Sequence, residues 1–316
     1  MRFEENFRIA IRSLKANKLR SLLTMLGIII GVASVIAMVS IGTGAQAIIV
    51  EQIRNLGSNV LMVNPGTAHR GGVRMESGSR RNLSVDDAQA IAAGSPLVVV
   101  AAPSVRGKVQ IVRGNRNWQT ITNGTTPDYF IAREWRLTAG RYFYEQELHS
   151  AAKVVLIGKT VAESLFGDDT AVGGKIRILN VPFNVIGVLD EKGTSSNGRD
   201  RDDVVFVPIS TAMLRLRGGA GQINRNAVDY ILVKVQQSGL MKDARSDIKR
   251  ILRSRHGLRE EQQNDFRISD PAATMGAERE AARTLTWLLG AIASVSLIVG
   301  GISIMNIMLV SVTERT

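Results

Sequence analysis

The chain has 316 residues, with 40 lysines and arginines against 28 aspartates and glutamates, and no cysteine. The absence of thiols excludes disulfides, thiolate catalysis and cysteine-ligated zinc. A net charge of +12 raises nucleic acid as a partner, but the basic residues are scattered and no zinc-finger, RNP or helix-turn-helix pattern accompanies them, so nucleic acid is set aside.

The first 20 residues place Phe3, Phe7, Ile11 and Leu14 at helical spacing with Arg and Lys between them. This predicts an amphipathic helix on a membrane surface, and a solvated basic tail is the plainer alternative. Residues 21–50 carry no charged side chain. The apolar heart of this run, 22–41, would rise roughly 30 Å as a helix, which matches the hydrocarbon thickness of a bilayer. Arg2, Arg8, Arg12, Lys15, Lys18 and Arg20 outweigh Glu4 and Glu5 ahead of it, so the N-terminus is expected in the cytoplasm. Ala45-Gln46-Ala47 looks like a cleavage site. The apolar run exceeds the about 7–15 residues of a signal h-region, however, and predicts an uncleaved anchor.

Ile49, Ile53 and Leu56 continue a helical stripe to Gly57. A strand follows at 59–63, then a turn at Asn64-Pro65-Gly66 and a Gly-, Arg- and Ser-rich stretch, 66–81, read as a mobile loop or hairpin tip. Ser84 and Asp87 form a capping box for a short helix ending near Gly94. Strands are predicted at 97–105, 108–112, 118–122, 153–157, 175–179, 183–189 and 204–207, with short helices at 161–166 and 210–216. The last long strand is 228–235. Residues 240–256 form a basic amphipathic helix with Ile248, Ile251 and Leu252 inward, closed by Gly257. Asp270 and Pro271 supply an N-cap and N1 pair, and no further proline interrupts the path into a second uncharged run at 284–313. One helical rod of about 43 residues is expected, with Gly42, Gly44 and Gly276 as points where helices could break.

The expected fold class is therefore an α+β membrane protein, two transmembrane helices flanking a two-lobed extracytoplasmic α/β domain. In order, this gives a cytoplasmic amphipathic helix (1–20), a first span (21–43) and an extracytoplasmic domain (44–283). That domain has stalk helices at 44–56 and 271–283, a membrane-proximal lobe from 57–106 and 225–270, and an inserted β-rich lobe at 107–224. A second span (284–313) and the start of a cytoplasmic segment (314–316) complete it. The long loop is basic, but loops of this length translocate largely regardless of charge.

Little in the chain points to catalysis. Gly158-Lys159-Thr160 sits between a predicted strand and helix, as a phosphate-binding loop would, yet the glycine needed five residues earlier is Lys153. A helix start is preferred. His69, His149 and His256 are too dispersed for local metal-ligand spacing. Asp200, Asp202 and Asp203 alternate with Arg199 and Arg201, which reads as a salt-bridged loop rather than a calcium site. No catalytic, cofactor or metal residue is assigned. Within the apolar runs, Gly27 and Gly31 form a Gly-x-x-x-Gly pair, Ser296 and Gly300 a second small pair, and Asn306 is an amide able to bond across an interface. These five are candidate helix-packing residues, between spans or between subunits. Neither run contains Asp, Glu, Lys, Arg or His, so no ion pathway through them is expected.

Six segments together carry a family resemblance: NKLRSLLTMLGIIIGV at 17–32, LGSNVL at 56–61, GTTPDYF at 124–130, NVPFNVIGV at 180–188, DDVVFVP at 202–208 and SIMNIMLVSVTERT at 303–316. The chain resembles the permease subunits of the MacB type, in the FtsX-like group of ATP-binding-cassette transporters, nearly end to end. The resemblance implies four spans, a dimer of permeases (homodimer or heterodimer), and a partner ATPase carrying ATP and Mg. That ATPase docks on a cytoplasmic segment beginning at Glu314 and Arg315. It also implies an inner-membrane location in a bacterium, a periplasmic adaptor, an outer-membrane channel, and export of a drug, peptide or lipid-like substrate. This chain departs by ending at Thr316, which reads as a partial sequence. The competing readings are a regulator of a cell-wall hydrolase, a two-span sensor and, least supported, a membrane-anchored enzyme.

Overall fold

The computed structural model describes residues 25–26, 29–44, 47, 59–66, 69–70, 73–74, 82–195, 198–216 and 226–313. The predicted helix at 1–20, most of the stalk at 44–56, the segment at 314–316 and most of the Gly-rich stretch lie outside them. The chain divides into two units, Met1–Val50 with Gly276–Thr316, and Glu51–Met275.

Glu51–Met275 is built on β1 (Val60–Pro65), α1 (Val85–Gly94), β4 (Val98–Arg113), β5 (Arg116–Thr125), β10 (Val204–Pro208), β11 (Tyr230–Val235), α5 (Met241–Arg255) and β12 (Phe266–Ser269). A two-residue pair, β2 (His69–Arg70) and β3 (Val73–Arg74), forms a separate antiparallel hairpin, as one of the two readings of that stretch expects. Between β5 and β10 lie α2 (Asp128–Ala132), β6 (Leu137–Gly140), α3 (Glu145–His149), β7 (Val154–Ile157), α4 (Lys159–Phe166), β8 (Lys175–Ile178) and β9 (Val181–Leu189). The large sheet runs β12-β1-β11-β4-β5-β10-β7-β9-β6, with β8 paired to both β4 and β9.

Following the pairings from β4 to β5, β10, β7, β9 and β8 returns to β4, so six strands close into a barrel and lose their free edges. Its interior is filled by Val109, Ile111, Ile157, Ile176, Phe183 and Val205, which belong to one buried cluster with α4. The sequence divides the lobes at residue 106, inside β4, which is a single strand of 16 residues. Arg106-Gly107-Lys108 reads as a break, but the ladder to β5 continues through all three.

The strands β1 and β11 are apolar on both faces because both are covered. Leu61, Val63, Ile231 and Val233 pack with Ile91 of α1 and Ile248 and Leu252 of α5. The alternate residues Val60, Tyr230 and Leu232 point the other way, against Tyr129 and Phe130 of α2 and Phe206 of β10, as the two-residue period of a strand dictates. Two hairpin residues carry backbone strain: Leu179 and Asn180, the two-residue loop joining β8 to β9, have φ of 47° and 68°. That is the left-handed pair a type I′ turn requires.

The helix α6 (Pro271–Thr313) has 43 residues, the length expected. The Asp270 carboxylate accepts from the Ala273 N–H at 2.9 Å and caps its first turn.

Candidate functional site

In the unit formed by Met1–Val50 and Gly276–Thr316, residues 29–44 are helical and α6 supplies a second helix. Most of the large apolar side chains described on both are exposed. Ile29, Ile36 and Ile41 are 59%, 61% and 73% exposed, and Trp287, Ile292 and Ile298 are 72%, 62% and 61% exposed. The two helices approach closely at one point. A Cβ added at Gly42 would stand 2.8 Å from the side chain of Thr286, so glycine there permits the contact. The sequence alone presents Gly42 only as a break.

Of the candidate packing residues, Gly31 lies in the described helix, and a Cβ at Gly300 would meet none of the described residues within 4 Å. Gly27, Glu314 and Arg315 lie outside the described residues, as do the side chains of Ser296 and Asn306, whose backbone is helical. Among the described residues no helix is long and apolar enough to cross a membrane.

Glu51–Met275 contains a charged clasp that joins distant elements. His256, which follows α5, bonds through Nδ1 to Asp265 at 2.8 Å and through Nε2 to Asp87 of α1 at 3.4 Å. Asp87 also accepts from Arg255 Nε at 2.8 Å and from the Ser84 N–H at 2.9 Å, completing the capping box of α1. Asn82 donates to Asp265 at 2.9 Å, and the Asp265 carbonyl accepts from Gly66, just past the end of β1. His256 is raised from 6.5 to about 9, first by its bond to Asp265 and then by Asp87. Burial pushes Asp87 up, but its bonds to His256, Arg255 and Ser84 hold it well below the usual carboxylate range.

Because the folded pKa of His256 is raised, its contribution is complete below pH 6.5 and is lost as pH rises to about 9. The contribution of Asp87 runs the opposite way, present above its ordinary 3.8 and lost on acidification below it. The melting temperature of the chain is thus expected to fall between pH 6.5 and 9 by the equivalent of about 1–2 kcal/mol, allowing for solvent screening at the partly exposed Asp265. His256→Gln should abolish that slope. Equal slopes in the two proteins would contradict the clasp.

The loop before β10 departs from the salt-bridged arrangement predicted. Asp202 is 3% exposed and accepts from the backbone N–H groups of Lys192 and Gly193, each at 2.8 Å. Backbone amides, not Arg199 or Arg201, satisfy it. Asp203 accepts from the Trp118 indole at 2.8 Å, and Asp200 from the Thr160 hydroxyl at 2.5 Å. The neighbouring Lys159 pairs with Glu191 at 2.5 Å. Carboxylates thus occupy the side chains that a phosphate-binding loop would offer to a nucleotide, and Gly158-Lys159-Thr160 is a helix start. Among the described residues no group of His, Asp and Glu is arranged to hold a metal.

Residues 21–251 match the model of the MacB-like periplasmic core domain. The chain belongs to this family. It is 41% identical over 313 residues to the macrolide export ATP-binding/permease protein MacB of Bdellovibrio bacteriovorus, covering 99% of this chain and 47% of that protein. A relative of the same name from Marinobacter nauticus is 42% identical over 314 residues, with 99% and 46% covered. The chain spans about half the length of these curated relatives. In fold it is similar to the periplasmic region of MacB from Actinobacillus actinomycetemcomitans, with TM-score 0.58, 22% identity, and 73% of this chain and 97% of that one covered. The extracellular domain of the noncanonic ABC-type transporter YknZ from Gram-positive bacteria matches with TM-score 0.53 and 16% identity, covering 67% and 100%.

The MacB-like segments are packing devices here. In GTTPDYF, a Cβ on Gly124 would run into the Cβ of Ala212, Thr125 donates to the Pro103 carbonyl at 2.9 Å, and Tyr129 and Phe130 enter the core beside Phe206 of DDVVFVP. The segment NVPFNVIGV begins in the strained turn at Asn180 and continues as β9.

Proposed function

We propose that this chain is the permease part of an ATP-driven export system in a bacterial inner membrane. Residues 21–43 and 284–313 cross the bilayer, and the core domain stands on the extracytoplasmic side. The observation that carries the reading is a periplasmic-core fold flanked by two helical segments whose largest apolar side chains face outward. Such surface costs about 25 cal/mol per Å² in water and nothing comparable in lipid. Residues 27–28 and several side chains of the second run complete these spans in the sequence.

In this reading ATP hydrolysis moves the spans, and α6, continuous from Pro271 to Thr313, passes the movement to the core domain without a pore through the bilayer. The ATPase meets the chain at Glu314 and Arg315, either as a partner subunit or as a further part of one polypeptide, as the relatives' joint name suggests. A second permease packs on Gly27, Gly31, Ser296, Gly300 and Asn306, a reading that the small size of these residues supports. An adaptor and an outer-membrane channel complete the path. The substrate class is a hydrophobic drug, peptide or lipid-like molecule; the relatives' name supports a macrolide. The test is ATP turnover by the ATPase with and without the full-length permease in lipid. The permease is expected to change the rate several-fold, and an unchanged rate contradicts coupling.

A further inference from the structure

The six strands that close the barrel contain no aspartate or glutamate, yet they carry Arg106, Lys108, Arg113, Arg116, Lys175 and Arg177. The two-residue period of a strand sorts their side chains. Val109, Ile111, Ile176 and Phe183 belong to the interior cluster, so Lys108, Gln110, Gln119, Ile121, Lys175 and Arg177 turn outward, and all six are exposed. The register sets them side by side. Lys108 stands opposite Ile121, and Gln110 opposite Gln119. Leu179, 47% exposed, donates its backbone N–H to the Gln110 carbonyl at 3.3 Å. Arg177 is opposite Val112, the next outward position of β4, and Lys175 is its outward neighbour on β8.

Lys108, Lys175 and Arg177 have no carboxylate partner among the described residues, and Asp169, in the loop ahead of β8, is held by Arg113 at 3.1 Å. Barrel closure leaves these strands no free edge, so a partner is gripped by side chains rather than added as a strand. Cations and side-chain amides around the apolar Ile121 and Leu179 match an acidic protein surface that has apolar side chains of its own. A second copy of this chain would instead set like charges against each other. Position argues against a lipid surface. β4 begins at Val98, opposite Val235, and the Val235 N–H bonds the Asn59 carbonyl at 2.8 Å, at the end of the domain where the chain continues to the first apolar run. Lys108 lies about 33 Å further along the strand.

We propose that this outward face of β4, β5 and β8 is the docking surface for a partner protein that presents a carboxylate-rich, partly apolar face. The proposal goes beyond the export reading, and its test involves no ATPase.

Fluorescence anisotropy of a labelled glutamate–tyrosine copolymer titrated with the full chain in non-ionic detergent tests it, with heparin as the competing polyanion. Saturable binding that weakens with salt is expected. The combined variant Lys108→Gln, Lys175→Gln and Arg177→Gln should weaken it about tenfold, and Arg177→Gln alone shifts it in the same direction should the combined variant fail to fold. A control that removes as many exposed cations from α5, Lys242→Gln with Arg245→Gln and Lys249→Gln, should leave the affinity within about twofold. No saturable binding by the unmodified chain overturns the proposal. So does equal weakening by the face and control variants, which would mark overall charge as the cause. Heparin binding that is tighter than that of the copolymer and falls with the face variant also overturns it, and would assign the face to a polyanionic sugar.

Discussion

Phe206→Ala is expected to destabilise the Glu51–Met275 unit by about 3–5 kcal/mol, the range for removing a buried phenylalanine. The side chain is 1% exposed and its ring centroid lies 5.2, 5.2 and 5.1 Å from those of Tyr129, Phe130 and Trp135. It stands on β10, which is parallel to β5 and antiparallel to β7, so its loss opens a void between α2 and the middle of the sheet. Domains are typically stable by about 5–15 kcal/mol, which makes one such change a large fraction of the total. Denaturant unfolding followed by tryptophan fluorescence reports it directly, since Trp135 forms one wall of the void. Phe206→Leu should cost less than half as much. A loss below about 1 kcal/mol for the alanine variant would contradict the account of this core.

A flexible Gly-Ser segment inserted after Ala273 has the other large effect. Ala273 is in the first turn of α6, held by Asp270, and glycine in a helix interior costs about 1 kcal/mol per residue, so several in succession melt the rod locally. In the full-length transporter the insertion is expected to lower export at least tenfold, while the core domain keeps its melting temperature and the ATPase still co-purifies. A matching insertion at the β4–β5 turn, where Gly114 has φ of 56° and open space around it, should leave export near normal. Retained export from the Ala273 insertion contradicts transmission through α6.

Elements whose signals are local were legible in the sequence. The capping box of Ser84 and Asp87 and the Asp270-Pro271 pair each depend on residues within one helical turn, and both are found in place. Four short elements, α2, α3, β6 and β12, escaped notice, whereas β7, β8 and β10, no longer than these, were marked by an apolar run or by alternation. The barrel closure was hidden for a different reason. It depends on β8 pairing with β4, more than 60 residues away in sequence, and no local pattern encodes such a pairing. The same holds for the sites. His256 meets Asp87 across 169 residues. Dispersed histidines and scattered basic residues were thus accurate descriptions of the sequence that say nothing of what the fold assembles. Gly42 shows the converse, a residue whose type was noted while its role, admitting Thr286, needed the second helix beside it.

The proposal that the core domain stands beyond the membrane while the N-terminus stays within the cell is tested most directly by labelling. The chain has no cysteine, so Asn115→Cys at the exposed β4–β5 turn introduces a single thiol. A membrane-impermeant maleimide added to intact spheroplasts is expected to label that thiol fully, while the thiol of a separate Ser13→Cys variant reacts only after permeabilisation. Labelling of the Asn115→Cys variant that also requires permeabilisation would contradict the account.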